Sequence, residues 1–279
     1  MVCITTLMDN RPSEHKALCV QHGLSLWIET GSNAFLFDCG SGSGALQNAH
    51  RLGIDLTKAS FTVLSHSHYD HAAGYRDLVE AGLNSPLLYT GPDFFSKKYA
   101  RNGLKLTDLS AGFDASFLAS HKITQRVCED LLPLCPGCWL VGNFIRSHSF
   151  ETIAQRFVTG SMENPVADMF RDEVCLALDT AEGIVVIVGC SHPGILNMVD
   201  TVRTRLDKPI HAVLGGTHLV EADESRIQTT VQALKKQGVR LLGLNHCSGE
   251  QAQQIVSQEQ AVSCVYLAAG DCICFPSVQ

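Results

Sequence analysis

Short apolar runs recur along the chain, and each ends in a polar or glycine-rich turn. The clearest early ones are "LSLWIET" (24–30), "AFLFDCG" (34–40), "FTVLSH" (61–66) and "PLLYT" (86–90). Later come "VCLALDT" (174–180), "GIVVIVGCSH" (183–192), "IHAVLGG" (210–216), "VRLLGLNH" (239–246) and "CVYLAAGD" (264–271). Their length, their branched and aromatic content and their flanking turns predict buried strands. The opening "MVCITTLM" reads as another strand. Between them lie segments of helical periodicity: "GALQNAHRLGI", "ILNMVDTVRTRL" and "SRIQTTVQALKKQG". The last places Ile227, Val231 and Leu234 on one face and ends in lysines and a glycine, as a helix C-terminus should. Strands come first in a run and then alternate with helices, which suits two sheets with helices outside them.

Residues 91–173 have weaker periodicity. "GPDFFSKKYARNG" is expected to be a helix, "AGFDASFLASH" an insertion and 148–171 a loop-rich lid. No fixed-period repeat or low-complexity linker divides the chain. We therefore expect one domain over 1–279, with an irregular lid or insertion around 91–173.

The 279 residues suffice for a substantial core, and the composition is that of a globular enzyme. A formal charge of −7, with no run of like charges, argues against nucleic acid or a membrane patch as partner. The longest aliphatic run is too short to span a bilayer, and no signal-peptide pattern opens the chain. A cytoplasmic location and reduced thiols are the expectation for the twelve cysteines. Cys3, Cys175 and Cys264 sit in apolar runs and are expected to be small buried residues.

The polar residues at strand ends change the picture. "LSHSHYDHAAG" begins its histidines where a buried run leaves its sheet. In extended backbone, residues two apart point the same way, so His66 and His68 can converge on one ion. Asp70 and His71 follow in the turn, where they can face a second ion. A lone histidine there would be an ordinary solvated residue; four ligand-type side chains in six positions point to metal. Nitrogen and oxygen donors suit zinc, iron or manganese. Cys190 and His192, His218, and His246 end three other runs in the same way. Ligands arriving from several strand ends assemble a site at one edge of the sheets.

"HSHYDH" matches the H-x-H-x-D-H signature, and "AFLFDCGSG" resembles the strand-end Asp–Gly motif, of the metallo-β-lactamase superfamily. "GCSHPGI", "GGTHL" and "NHCSG" together resemble one branch of it. That branch contains the dihydropterin-ribofuranosylaminobenzene-phosphate synthases of methanopterin biosynthesis and bacterial relatives. The resemblance runs from Leu24 to Gly270. It implies an α/β fold, a four-layer αβ/βα sandwich with metals at one edge between two facing sheets.

It further implies that His66, His68 and His192 hold a first metal, and Asp70, His71 and His246 a second, zinc being expected at both. Asp38 would support the ligands from behind. Where most of the superfamily has a bridging aspartate, this chain has Cys190, so a bridging thiolate, a single-metal site or an asymmetric one are alternatives. The G-E-I-P-R-like stretch of the branch reads "GNFIR" here, without its Glu and Pro, a departure from the pattern of the pterin enzymes. Arg146 in it is a candidate grip for an anionic substrate group. His148, in the expected lid, is a second substrate candidate. His218 is a candidate to hold a substrate atom, and Asp70 to orient or deprotonate a water.

Such a constellation supports a metal-dependent hydrolase or transferase acting on a small anionic molecule: a phosphoester, a lactone or a pterin-type compound. Two other classes stay open: a metal-binding sensor or effector with little turnover, and an iron-containing redox protein. Cys128, Cys135 and Cys138 lie close together in sequence, the last two as C-x-x-C, and Cys272 and Cys274 share one side of a strand. All five are expected to be buried or incidental thiols rather than a second metal site or redox pair. His15, His22, His50, His121 and His211 are expected to be structural or surface residues.

Overall fold

Val185 and Ile187 leave their strand on one side, Val186 and Val188 on the other, and each pair is buried in a different core. That alternation is possible only for a strand covered on both faces. The computed structural model describes residues 1–14, 16–31 and 33–278. His15 lies outside them.

The chain opens with β1 (Val2–Met8), β2 (Ser25–Thr30), β3 (Asn33–Phe37), α1 (Gly44–Leu52), β4 (Ala59–Val63), α2 (Tyr69–Ala72), α3 (Gly74–Glu80) and β5 (Leu87–Thr90). The middle holds β6 (Lys98–Asn102), β7 (Lys105–Asp108), α4 (Ala115–Ser120), β8 (Thr124–Val127), β9 (Leu131–Cys135), β10 (Cys138–Val141), β11 (Phe157–Gly160) and β12 (Pro165–Ala167). It closes with β13 (Cys175–Thr180), β14 (Gly183–Val188), α5 (Ile195–Leu206), β15 (Ile210–Gly215) and α6 (Glu224–Lys236). Then follow β16 (Leu241–Leu244), α7 (Glu250–Ser257), β17 (Ser263–Tyr266) and β18 (Cys272–Phe275).

One sheet runs β18-β1-β2-β3-β4-β5-β8 and a second β17-β16-β15-β14-β13-β10-β9. Ile4, Leu26, Ile28, Phe35 and Phe37 of the first pack against Leu176, Leu178, Val185, Ile187 and Leu214 of the second. Behind the second sheet, α5, α6 and α7 bury Val199, Val202, Ile227, Val231, Leu234 and Val256. Behind the first, α1, α3 and α4 bury Ala45, Ala49, Tyr75, Leu78 and Leu118. The layers are therefore helix, sheet, sheet, helix.

A third sheet, β12-β11-β6-β7, corrects the expectation of a helix over residues 91–103. Turns occupy 92–95, and β6 follows. Its register sets Tyr99 opposite Val158 of β11, and the Lys98 ammonium is buried between Asp168 and Asp172, 2.7 Å from each. Those long-range partners exist only for an extended segment, and they override local helical pattern. Residues 111–121 contain α4, while β8, β9 and β10 belong to the two main sheets. The lid segment between β10 and β11 is sewn to α5. The Ile145 amide donates to Thr201 Oγ1, and the Ser147 and His148 amides to Asn197 Oδ1. Glu151 accepts from the Leu196 and Asn197 amides at the helix N-terminus, where a carboxylate is favoured.

The thiol expectation needs a second correction. Cys3 and Cys274 form a disulfide across 271 residues of sequence. They face each other in the β1–β18 ladder, which brings the two sulfurs into bonding range. Cys272, two residues along β18, stays exposed and free, while Cys175 is buried as expected. Cys264 is half-buried. Cys135 and Cys138 flank the tight turn of the β9–β10 hairpin, and the Cys128 thiol donates to the Leu140 carbonyl. Among the described residues, no helix is long and apolar enough to cross a membrane.

Candidate metal centre

The C-terminal ends of β4, β14, β15 and β16 meet where the two main sheets face each other, and each feeds one or more polar side chains into the meeting point. His66 and His68 follow β4, Asp70 and His71 begin α2, Cys190 and His192 follow β14, His218 follows β15 and His246 follows β16. Ligand-type atoms of His66, His68 and His192 lie within 4.8 Å of one another. So do those of His66, His71 and Cys190, of Cys190, His192 and His218, of Cys190, His246 and Cys247, and of His22, Asp70 and His246.

The backbone is bent to achieve this. Asp38, Ser191, His218 and His246 all adopt left-handed conformations, at φ 59°, 61°, 50° and 49°. Such strain in non-glycine residues costs free energy and gathers where function requires it. Gly189 is needed for a different reason: a β-carbon there would stand 2.1 Å from Ser65 Oγ.

The supporting shell fixes which ring nitrogens are free. Asp38 accepts the Ser65 amide at 2.7 Å, the Ser65 hydroxyl at 2.8 Å and His71 Nδ1–H at 2.6 Å. Because the Ser65 hydroxyl proton goes to Asp38, the 3.0 Å contact to His66 has Nδ1–H donating to Ser65. Asn10 Oδ1 takes the Gly23 amide and His246 Nδ1–H, and the Asn10 amide donates to the His246 carbonyl. Asp9 receives the His246 amide at 2.7 Å. His66, His71 and His246 are thereby left with bare Nε2 lone pairs, the state in which imidazole binds a metal.

Those lone pairs supply the test for metal. His66, His68 and His192 each carry a buried Nε2 with no hydrogen-bond partner. His71 Nε2 lies 3.1 Å from His246 Nε2 and 3.2 Å from Cys190 Sγ. Two nitrogens on one tetrahedral zinc stand about 3.3 Å apart, so this spacing suits a shared ion. The residues fit a metal ion on that ground.

Electrostatics agree. Burial pushes the His68 ring down to about 3. Burial also holds His66 and His192 well below the ordinary histidine value, with the neighbouring histidines adding to it. Burial alone would raise Asp70, but His71, His22 and His246 outweigh it and keep the carboxylate well below its usual range. His218 is pushed down to about 4 by burial. Near neutral pH the site thus offers neutral imidazoles at His66, His68, His192 and His218 and one firmly ionised carboxylate, while at His71 the charges of Asp38 and Asp70 outweigh burial and raise the ring above the ordinary histidine value.

Several contributors escape a reading of the sequence. His22, expected at the surface, sits half in solvent with Nε2 3.1 Å from Asp70 Oδ2. Cys247 follows His246 directly and puts its sulfur beside Cys190; a β-carbon on Gly216 would fall 2.6 Å from it. Buried Glu173 accepts the Ser191 and His192 amides, and burial followed by the nearby Asp172 charge pushes it up to about 8. Asp172 accepts the Ser67 amide and hydroxyl between the two metal-site histidines. Asp9 and Asn10 directly follow β1, so the strand-end signal was present in "LMDN"; Glu173, in a loop, carried no signal.

Two candidates lie elsewhere. His148 Nε2 is 2.7 Å from Asp200 on α5, which makes it part of the lid's stitching. Arg146 donates to the Met169 carbonyl and lines a separate cavity with Glu129, Phe144 and Phe170.

A family model for the metallo-beta-lactamase superfamily matches residues 20–124, the segment that carries "HSHYDH". An uncharacterised protein of Methanocaldococcus jannaschii, MJ0448, is 30% identical over 91% of this chain and 94% of its own length. The chain belongs to the metallo-beta-lactamase superfamily. From the same organism, 7,8-dihydropterin-6-methyl-4-(beta-D-ribofuranosyl)-aminobenzene-5'-phosphate synthase is 28% identical over 98% of this chain and 96% of the relative. Among solved structures, Tm1679, a metal-dependent hydrolase of the beta-lactamase superfamily, superposes with a TM-score of 0.85 at 27% identity. The match covers 99% of this chain and 100% of Tm1679. A diphosphatase of the PhnP family shares the fold at 12% identity and a TM-score of 0.57, over 99% of this chain and 98% of its own. The four-layer superfamily architecture is therefore the architecture of this chain.

Proposed function

We propose that the chain is a metal-dependent hydrolase or transferase of the metallo-beta-lactamase superfamily, acting on a small anionic molecule. The observation that carries this is the convergence of three unpartnered Nε2 atoms, from His66, His68 and His192, beside the facing lone pairs of His71 and His246. The name of the synthase relative supports a phosphorylated, pterin-type substrate, and that of Tm1679 supports hydrolysis.

In this reading His66, His68 and His192 hold one ion, and Asp70, His71 and His246, joined by His22, hold another, with Cys190 between them. Bound metal supplies an activated water near neutral pH and Lewis acidity toward a substrate oxygen. Asp70, held ionised by the surrounding histidines, would orient that water. His218, neutral, holds a substrate oxygen or nitrogen. Phe157 packs against the His68 and His192 rings and keeps bulk water off them. Zinc is the metal proposed. The paired sulfurs of Cys190 and Cys247 beside His246 favour one other reading, iron and redox chemistry.

Metal analysis of protein purified without chelators, in wild type, His68→Ala and Cys190→Ala, tests the proposal. About two equivalents of zinc are expected, falling in both variants, followed by turnover on a panel of phosphoesters and lactones. Metal-free wild type would sink the catalytic reading. Reducible iron would move it to redox chemistry, and full metal in Cys190→Ala would remove the thiolate from the site.

A further inference from the structure

A small cavity of about 120 Å³ opens beside the donor cluster, lined by Thr152, Ser191, His192, His218, Glu221 and Arg226 among others. Arg226 stands in the first turn of α6, where the helix's own positive end disfavours a cation. Helix stability therefore gains nothing from its charge. Its Nε is buried without a hydrogen-bond partner, and Arg226 makes no ion pair among the described residues. Two carboxylates are near, and both are committed. Glu221 is paired with Arg156. Glu151 gives both oxygens to the first amides of α5. The cavity thus holds a guanidinium that lies in the field of Glu151 yet keeps an unused donor, Nε, in the lining it shares with His192.

We infer that this cavity seats a phosphate group of the substrate and that Arg226 is the residue that reads it. The inference rests on the catalytic reading above, and it narrows the substrate to phosphorylated small molecules. A guanidinium presents its N–H groups as a fork suited to oxyanions. Thr152 approaches from the lid segment, His218 from the end of β15 and Arg226 from α6. Donors arriving from three elements match a tetrahedral oxyanion better than a planar carboxylate. The phosphate would then sit on the His192 side of the metal centre, with the remainder of the molecule extending across the donor cluster.

Calorimetric titration of metal-loaded protein with inorganic phosphate tests this, with acetate as the carboxylate control. Wild type is expected to bind phosphate and not acetate. Arg226→Gln should weaken phosphate binding at least tenfold, and Arg226→Lys, which keeps the charge without the fork, should fall between. Both variants should hold as much metal as wild type. Wild-type affinity in Arg226→Gln, or a preference for acetate, overturns the assignment. Metal loss in both variants also overturns it, since Arg226 would then be supporting the site rather than the ligand. Metal-loaded wild type that ignores phosphate defeats this inference alone, whereas metal-free wild type defeats the catalytic reading on which it stands.

Discussion

Asp38 shows how one buried carboxylate governs the chemistry of the whole cluster. It is an acceptor only, so it forces a proton onto His71 Nδ1 and another onto Ser65, and Ser65 in turn forces one onto His66 Nδ1. Asp38→Asn keeps the shape but lets an N–H face His71. The ring then takes the other tautomer and carries its proton on Nε2, where metal should bind. Metal affinity is expected to fall roughly 10–100-fold, the usual range for losing such a partner. Competition against a chelator measures it, and unchanged affinity would show that His71 is not a ligand. Asp38 was legible through the resemblance of "AFLFDCGSG" to the superfamily's strand-end motif. His22 was not, because nothing in "CVQHGLS" distinguishes a loop histidine that meets Asp70 from one that meets water.

Among the elements, β6 carries the least expected burden. Lys98 lies 4% exposed between two carboxylates, and one of them, Asp172, also holds Ser67 in place between His66 and His68. Removing one partner from a buried ionic group typically costs about 3–5 kcal/mol, because the remaining charges stay buried. Lys98→Met should therefore lower the unfolding midpoint and reduce bound metal together. A variant with full metal and wild-type stability would free the third sheet from any part in the site. This element also shows why the middle of the chain resisted reading. The strands of the two main sheets announce themselves through unbroken apolar runs, since both their faces are covered. β6, β7, β11 and β12 are short and half polar, and the strand character of β6 and β11 comes from partners as distant in sequence as Lys98 and Thr159. The helix expected over residues 91–103 was a local inference defeated by such partners.

At the scale of the molecule, the two halves divide the labour: the first sheet brings His66, His68, Asp70 and His71, and the second brings Cys190, His192, His218 and His246. Neither half has a complete set of donors. Metal, where bound, ties the sheets together across the core, and metal binding becomes part of folding. Strand-end histidines made this arrangement readable from sequence, because each sits at the end of a run whose burial is unmistakable. The β1–β18 link was invisible, since a cysteine in an apolar run looks the same whether or not another cysteine faces it. Cys3→Ser is expected to cost about 2–4 kcal/mol and lower the thermal midpoint by several degrees. A reducing agent should do the same to wild type and nothing further to the variant, as differential scanning calorimetry would show.

That link closes a covalent ring between two cysteines whose sequence separation is 271. A protease that cuts once in an exposed turn then opens the ring without dividing it. The cut product would still run as one species on a gel without reductant and as two with it, so a single nick is a silent event until thiols are supplied.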